Sequence, residues 1–129
     1  MLEGVVKFPP EFAQKYREKG YWEDRTIASH FAGWFADYAD RTAIIDGDEV
    51  VTYRELDERS TRVALNLLDL GFGPLDRVVV CLPNVAEFAY LYFAFQKIGV
   101  IPIMALPTHR YLEVTQFVEI AQARPVSCR

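Results

Sequence analysis

The segment "IPIMALPTHRYLEV", residues 101–114, carries the most suggestive chemistry in the chain. An apolar run ends at Leu106, and Pro107, Thr108, His109 and Arg110 follow. A histidine beside an arginine can be a catalytic pair, an anion site, or the polar opening of a helix. A catalytic pair needs a nucleophile or an orienting acid, and none lies close in sequence. Pro107 and Thr108 read as loop and N-cap, with His109 and Arg110 in the first turn of a helix over 109–122. Cations there face the positive end of the helix dipole, so Arg110 should seek a carboxylate or another anion. An ion pair with another segment is the plainer expectation; direct substrate contact is the sharper one.

Other groups offer less. His30, the other of the two histidines, lies on an apolar helical stretch without acidic or cysteine partners at ligand spacing. Asp46, Asp48 and Glu49 cluster at a turn and read as solvated turn chemistry, because hard cations need more oxygens converging. Cys81 and Cys128 fit neither a disulfide framework nor a metal spacing; both read as free thiols in a reducing, cytoplasmic setting. G-x-S-x-G, CxxC, HxxH, G-x-G-x-x-G and G-x-x-x-x-G-K-[ST] are all missing. "GFG" at 71–73 ends a helix instead of opening one, so it is no phosphate loop. No residue is assigned as catalytic, cofactor-binding or metal-ligating; Pro107 to Arg110 stand as candidates for the border of a site.

The elements that position these groups are well punctuated. The 129 residues are 51% hydrophobic and 25% charged, with a net charge of −4. That is one globular domain in length, with no electrostatic pull toward nucleic acid or an anionic membrane. The segment 85–106 is broken by Glu87, Gln96, Lys97, Gly99 and Pro102, which argues against a membrane helix. Residues 1–25 form an arm with a helix near Pro10 to Lys19, its aromatics Phe8, Phe12, Tyr16, Tyr21 and Trp22 acting as packing anchors. Residues 26–129 form an α/β unit. Thr26 caps a helix to about Tyr38 with Ile27, Phe31, Trp34 and Phe35 at helical spacing. Asp46-Gly47 marks a β-hairpin. Thr52 and Glu55 form a capping box for a helix with a stripe of Leu56, Val63, Leu67 and Leu70, outer pairs Glu55–Arg59 and Glu58–Arg62, and a left-handed stop at Gly71.

"DRVVVCLPN" is apolar without alternation, as a doubly covered parallel strand is. Asn84 and Glu87 suggest a second capping box. The helix "VAEFAYLYFAFQKI" is apolar nearly all round, so it is buried on more than one side. Phe88, Tyr90, Leu91, Tyr92, Phe93 and Phe95 cannot all face one sheet, and a bare side would be sticky. Gly99 ends the helix and "VIPIMA" returns as a strand: a right-handed βαβ unit. A helix with Val114, Phe117, Val118 and Ala121 inward follows, and the rhythm then predicts another parallel strand after Ala123.

Two stretches resemble core motifs of the adenylate-forming (AMP-binding) enzymes, which include acyl-CoA synthetases, luciferases and peptide-synthetase adenylation domains. "VTYRELDERS" at 51–60 is similar to the first, and "FQKIGVIPIMAL" at 95–106 to the second. "KFPPEFAQKYREKGYW" at 7–22 and "ALPTHRYLEVTQFVEIAQA" at 105–123 resemble the stand-alone aryl-acid ligases that activate 2,3-dihydroxybenzoate or salicylate in siderophore biosynthesis. The resemblance reaches Ala123; "RPVSCR" departs from it, like the product of a premature stop, a frameshift or a cloning boundary. It implies the N-terminal part of a large domain: a β-hairpin, then βαβ units on a parallel sheet. It implies a parent enzyme that uses ATP and Mg²⁺ to make an aryl-adenylate and passes the acyl group to the thiol of an aryl carrier protein. The family's phosphate loop, aryl pocket, ribose-binding acid and C-terminal-domain lysine all fall outside the matched stretch, so the chain alone is expected to be inactive without the remainder of the enzyme. Two alternatives stay open: another acyl-CoA synthetase-like enzyme, or a non-catalytic α/β interaction module docking through the apolar helix at 85–98.

Overall fold

A computed structural model describes residues 5–124. The arm opens with helix α1, Pro10–Glu18, whose first position is held by proline, a residue whose fixed φ and missing N–H suit it. Its aromatics pack on one another: Phe8 lies 4.9 Å from Trp22 and Tyr16 5.5 Å from Trp22, centroid to centroid. None of α1 is buried, so these rings form a local cluster and do not anchor the arm in the main core. The strand expected after Ala123 lies outside the described residues, as does Cys128.

Helix α2, Ile27–Asp37, starts where Thr26 accepts the Ser29 amide. The hairpin follows: β1 (Thr42–Asp46) pairs antiparallel with β2 (Glu49–Thr52). Gly47 takes the first loop position at φ +58°, a value cheap only for glycine in so tight a turn. The capping box forms as expected: the Glu55 amide donates to Thr52 Oγ1, and the Thr52 amide donates to the Glu55 carboxylate at 2.8 Å. It launches α3, Tyr53–Asp69. Gly71, at φ +80°, donates to the Leu68 carbonyl, and Phe72 donates to that of Leu67, the paired bonds of a Schellman stop.

The βαβ unit is present. Strand β3 (Arg77–Val80) pairs parallel with β4 (Ile101–Met104), with Val78 opposite Pro102 and Val80 opposite Met104. Helix α4 (Ala86–Ile98) crosses between them and ends at Gly99, φ +74°. A Cβ on Gly99 would sit 3.3 Å from Pro74 Cα, so both backbone geometry and space favour glycine there. Helix α5, Tyr111–Ala121, packs back toward β3.

Two apolar cores flank α4. One gathers Phe35, Val51, Leu56, Ala86 and Tyr90; the other gathers Val78, Val80, Phe95 and Val100. This explains why α4 is apolar around its circumference: it serves both cores. Of Phe88, Tyr90, Leu91, Tyr92, Phe93 and Phe95, Tyr90 and Phe95 are buried and the other four are half-buried, so α4 has no fully bare side of the kind expected. Among the described residues, no helix is long and apolar enough to cross a membrane.

Several local expectations are corrected. Leu70 is 69% exposed, because the α3–α4 contact runs along Leu56, Ser60 and Ala64 instead. Ser60 is fully buried, since a small residue lets the helices approach closely. The pairs Glu55–Arg59 and Glu58–Arg62 do not form among the described residues; Glu55 is committed to the capping box, and Arg59 turns to Glu49 of β2. The box at Asn84 does not form either. Helix α4 begins one residue later, with Val85 at the N-cap and no side-chain cap of its own. Its acceptor comes from the hairpin: the Ala86 amide donates to Asp46 Oδ2 at 2.8 Å.

Candidate functional site

Two loops meet at the carboxyl edge of the parallel pair, the edge at which open α/β sheets bind ligands. The loop after β3 contains Cys81 and Leu82; the loop after β4 contains Ala105 to Arg110. The Ala105 amide donates to the Val80 carbonyl at 2.8 Å, and the Cys81 thiol donates to the Leu106 carbonyl at 3.2 Å. The loops are therefore held side by side.

Residues 106–109 form a β-turn closed by the His109 amide donating to the Leu106 carbonyl at 3.0 Å. Pro107 occupies the second position, which its fixed φ suits. Thr108 is the third residue of that turn, so it is not the N-cap. The His109 ring completes the loop: its Nδ1 accepts the Leu106 amide at 3.0 Å. This bond places the imidazole proton on Nε2. The ring also sits edge-on to Phe117, 5.0 Å away at 72°. His109 is thus half-buried and engaged on both sides, a staple between turn and helix.

Arg110, not Thr108, holds the N-cap position. Its amide donates to Glu113 Oε2 at 2.9 Å. The Glu113 carboxyl is held below the ordinary carboxylate range, first by its own backbone amide and then by that of Arg110. The first turn of α5 therefore carries a carboxylate, as the helix dipole favours, and His109 and Arg110 lie outside it. The Arg110 guanidinium is exposed and forms no ion pair among the described residues. The expected ion pair is absent there, and His109 and Arg110 share no contact that would make them a catalytic pair.

The remaining candidates resolve into structural roles. His30 Nε2 lies 4.0 Å from Glu23, beside Trp34. Of the acidic turn, Asp46 caps α4, Glu49 pairs with Arg59, and Asp48 is exposed. No group of three or more histidine, cysteine or acidic side chains converges as a metal site among the described residues.

Three polar links were not foreseen from the sequence. Lys97 Nζ reaches from α4 to α3, with the Asp57 carbonyl at 2.8 Å, Asp57 Oδ1 at 2.6 Å, Ser60 Oγ at 2.8 Å and Thr61 Oγ1 at 2.7 Å. Arg59 Nη1 donates to the Tyr90 hydroxyl at 2.6 Å. Burial pushes the Tyr90 phenol up from its ordinary range. Arg124 Nη1 bonds Asp76 at 2.9 Å and the Gly71 carbonyl at 2.6 Å, over the Phe72 ring. The signal for the first was available: a lone lysine on an otherwise apolar helix needs acceptors at its tip.

The AMP-binding enzyme family matches residues 31–127, most of the chain. This chain belongs to the AMP-binding enzyme family. Among solved structures it resembles the apo structure of Mycobacterium smegmatis MbtA, with a TM-score of 0.87 and 43% identity over 93% of this chain and 23% of that one. The Klebsiella oxytoca NpsA N-terminal subdomain, 23% identical at a TM-score of 0.74 over 78% of this chain and 26% of that one, shares the fold. Among curated relatives, a 2,3-dihydroxybenzoate-AMP ligase of Bacillus subtilis is 43% identical over 123 residues. A salicyl-AMP ligase / salicyl-S-ArCP synthetase of Mycobacterium tuberculosis is 39% identical over 127 residues. The alignments cover 95% of this chain but only 23% and 22% of those relatives. The chain therefore spans about a quarter of the length of the proteins it matches.

Proposed function

We propose that this chain supplies the N-terminal part of the large domain of an aryl-acid adenylating ligase of siderophore biosynthesis, with residues 1–25 as its arm and 26–129 as an α/β subdomain. The observation that carries the reading is the likeness, across almost the whole chain, to ligases whose names specify 2,3-dihydroxybenzoate and salicylate. The complete enzyme would join an aryl carboxylate to the adenylyl group of ATP with Mg²⁺, release pyrophosphate, and hand the acyl group to a carrier-protein thiol.

The described residues do not fit a nucleotide or metal centre of their own. They bring together neither a glycine-rich phosphate cradle at a helix start nor a converging carboxylate set. No step of the reaction is therefore routed through them. What they contribute is position. The two cores fix the βαβ unit, the carboxyl-edge loops lie in register, and the turn Pro107 to Arg110 presents an exposed guanidinium at that edge. Such preorganisation is the part of the catalytic effect that a scaffold can provide.

The test is ATP–pyrophosphate exchange. The 129-residue chain alone should show only background, with or without aryl acid. A chimera in which it replaces the corresponding first quarter of the Bacillus subtilis relative should exchange when 2,3-dihydroxybenzoate or salicylate is added. A folded chimera that exchanges with neither acid, or robust exchange by the chain alone, contradicts the proposal.

A further inference from the structure

The turn after β4 is held almost wholly by polar bonds. Leu106, Pro107, Thr108 and Arg110 are exposed, and His109 is half-buried. Little apolar burial keeps the segment closed, and segments of that kind open locally while the rest of the fold stays intact. The bonds converge on Leu106. Its carbonyl accepts the His109 amide at 3.0 Å and the Cys81 thiol at 3.2 Å, and its amide donates to His109 Nδ1 at 3.0 Å. The last of these differs in kind, because its acceptor can take up a proton.

An imidazole nitrogen accepts a hydrogen bond only while it carries no proton of its own. Protonated, Nδ1 becomes a donor aimed at the Leu106 N–H, and two donors must separate. The charged groups around the ring favour that exchange of partners. Glu113, one turn along α5, interacts with His109 by charge and stays in place through the Arg110 amide. Arg110 carries the opposing charge beside it but makes no contact with the ring. Across the loop, the Cys81 thiol faces the Leu106 carbonyl, not the imidazole. Phe117, on the ring's other side, is uncharged. An imidazolium therefore trades the Leu106 amide for attraction to Glu113, and the fold as a whole loses little.

We propose that His109 is a proton-operated latch on the carboxyl-edge turn: the neutral ring holds residues 106–110 closed, and protonation releases them, Arg110 included. An imidazole free of such a bond takes up its proton at about pH 6.5, so the change falls where histidine acts as a switch. The opening is confined to the turn. Helix α5 keeps the Arg110–Glu113 bond at its start, and the sheet keeps the bond from the Ala105 amide to the Val80 carbonyl. On the reading that a ligase site borders this edge, the latch decides where the Arg110 guanidinium stands; the latch itself does not depend on that reading.

Amide exchange of the 129-residue chain, followed by NMR without substrate between pH 7.5 and pH 5, tests this. Each rate is divided by that of an unstructured peptide at the same pH. Nitrogen spectra at pH 7.5 should show His109 as the Nε2–H tautomer. Protection of the Leu106 amide should fall by about tenfold or more across the range, as the unprotonated fraction of a free imidazole does. Protection of the Ala105 amide should stay constant. His109→Asn sets an oxygen near the place of Nδ1 and cannot titrate, so Leu106 should stay protected at both pH values. His109→Leu offers no acceptor and should leave Leu106 unprotected at both. Equal protection of Leu106 at pH 7.5 and pH 5 in the unmodified chain overturns the proposal. So does a parallel fall at Ala105, because the sheet edge and not the turn would then be opening. A fall at Leu106 that persists in His109→Asn also overturns it, since the titrating group would lie elsewhere. If His109→Leu does not fold, the unmodified chain and His109→Asn decide.

Discussion

Asp46→Ala probes a contact that joins the hairpin to the buried helix. Asp46 Oδ2 accepts the Ala86 amide at 2.8 Å, and Ala86 is 2% exposed. Loss of an N-cap acceptor costs about 1 kcal/mol, within a range of roughly 0.5–2. A donor left unpaired in a buried position costs about 1–3 kcal/mol. These describe the same lost bond from two sides, so they overlap, and about 2 kcal/mol is expected. For a chain of this size that corresponds to a fall in Tm of roughly 8 °C. Asp46→Asn keeps an oxygen acceptor and loses only the interaction of charge with the helix dipole, about 0.3–1 kcal/mol. Asp48→Ala, at the exposed position of the same turn, should stay within about 0.5 kcal/mol of the unmodified protein. Urea unfolding followed by circular dichroism at pH 7 orders the three. If Asp46→Ala costs no more than Asp48→Ala, the cap across elements is not a determinant of α4.

Leu56→Ala should cost about 2–5 kcal/mol and Leu70→Ala under about 0.5, because Leu56 is 3% exposed and Leu70 is 69% exposed; denaturant midpoints compare them directly. Lys97→Met, which removes the donor shared by Asp57, Ser60 and Thr61, should cost about 2 kcal/mol; a neutral result would mean that the α3–α4 contact is purely apolar. Asp76, Glu55 and Glu113 all titrate below their ordinary range, Asp76 chiefly through Arg124 and Glu55 chiefly through the Thr52 amide. Depressed carboxyl groups add stability that is complete above their unfolded values, near pH 4, and is lost as the pH falls through the folded values. Tm should therefore be level from pH 7 to about 5 and decline below about 4; a Tm that rises on acidification contradicts these pairings. Size-exclusion chromatography should find the chain prone to self-association, given exposed Leu106, Tyr111, Leu112 and Ile120.

Much of this architecture was legible because its signals are local. The Asp46-Gly47 turn, the Thr52–Glu55 box and the stops at Gly71 and Gly99 each depend on residues within one turn of each other. The uniform apolarity of α4 announced burial on more than one side, but not that two separate cores would consume it. Contacts between distant segments were illegible for the same reason that local ones were clear. Glu55 has a partner at Arg59 by spacing, yet Thr52 takes the carboxylate and Glu49, ten residues away, takes the arginine. Asn84 fits a cap by type, yet Asp46, 40 residues from the Ala86 amide that it accepts, supplies the acceptor. At the candidate site, His109 and Arg110 were singled out by residue type. Their separation into a turn staple and an exposed N-cap residue followed from where α5 starts, two residues beyond the position expected. Element boundaries of that kind are set by which carboxylate reaches which amide.

The central claim is that this chain positions the reaction without supplying its reacting groups. Steady-state kinetics of Arg110→Ala in the active chimera test it most directly, with Tm measured in parallel. The account predicts kcat within about tenfold of the unmodified chimera, roughly 1.4 kcal/mol of barrier, with any change appearing as a modest rise in KM or a lower Tm. A loss of kcat by several orders of magnitude at unchanged Tm would show that the Pro107 to Arg110 turn takes part in the chemistry, contradicting the account.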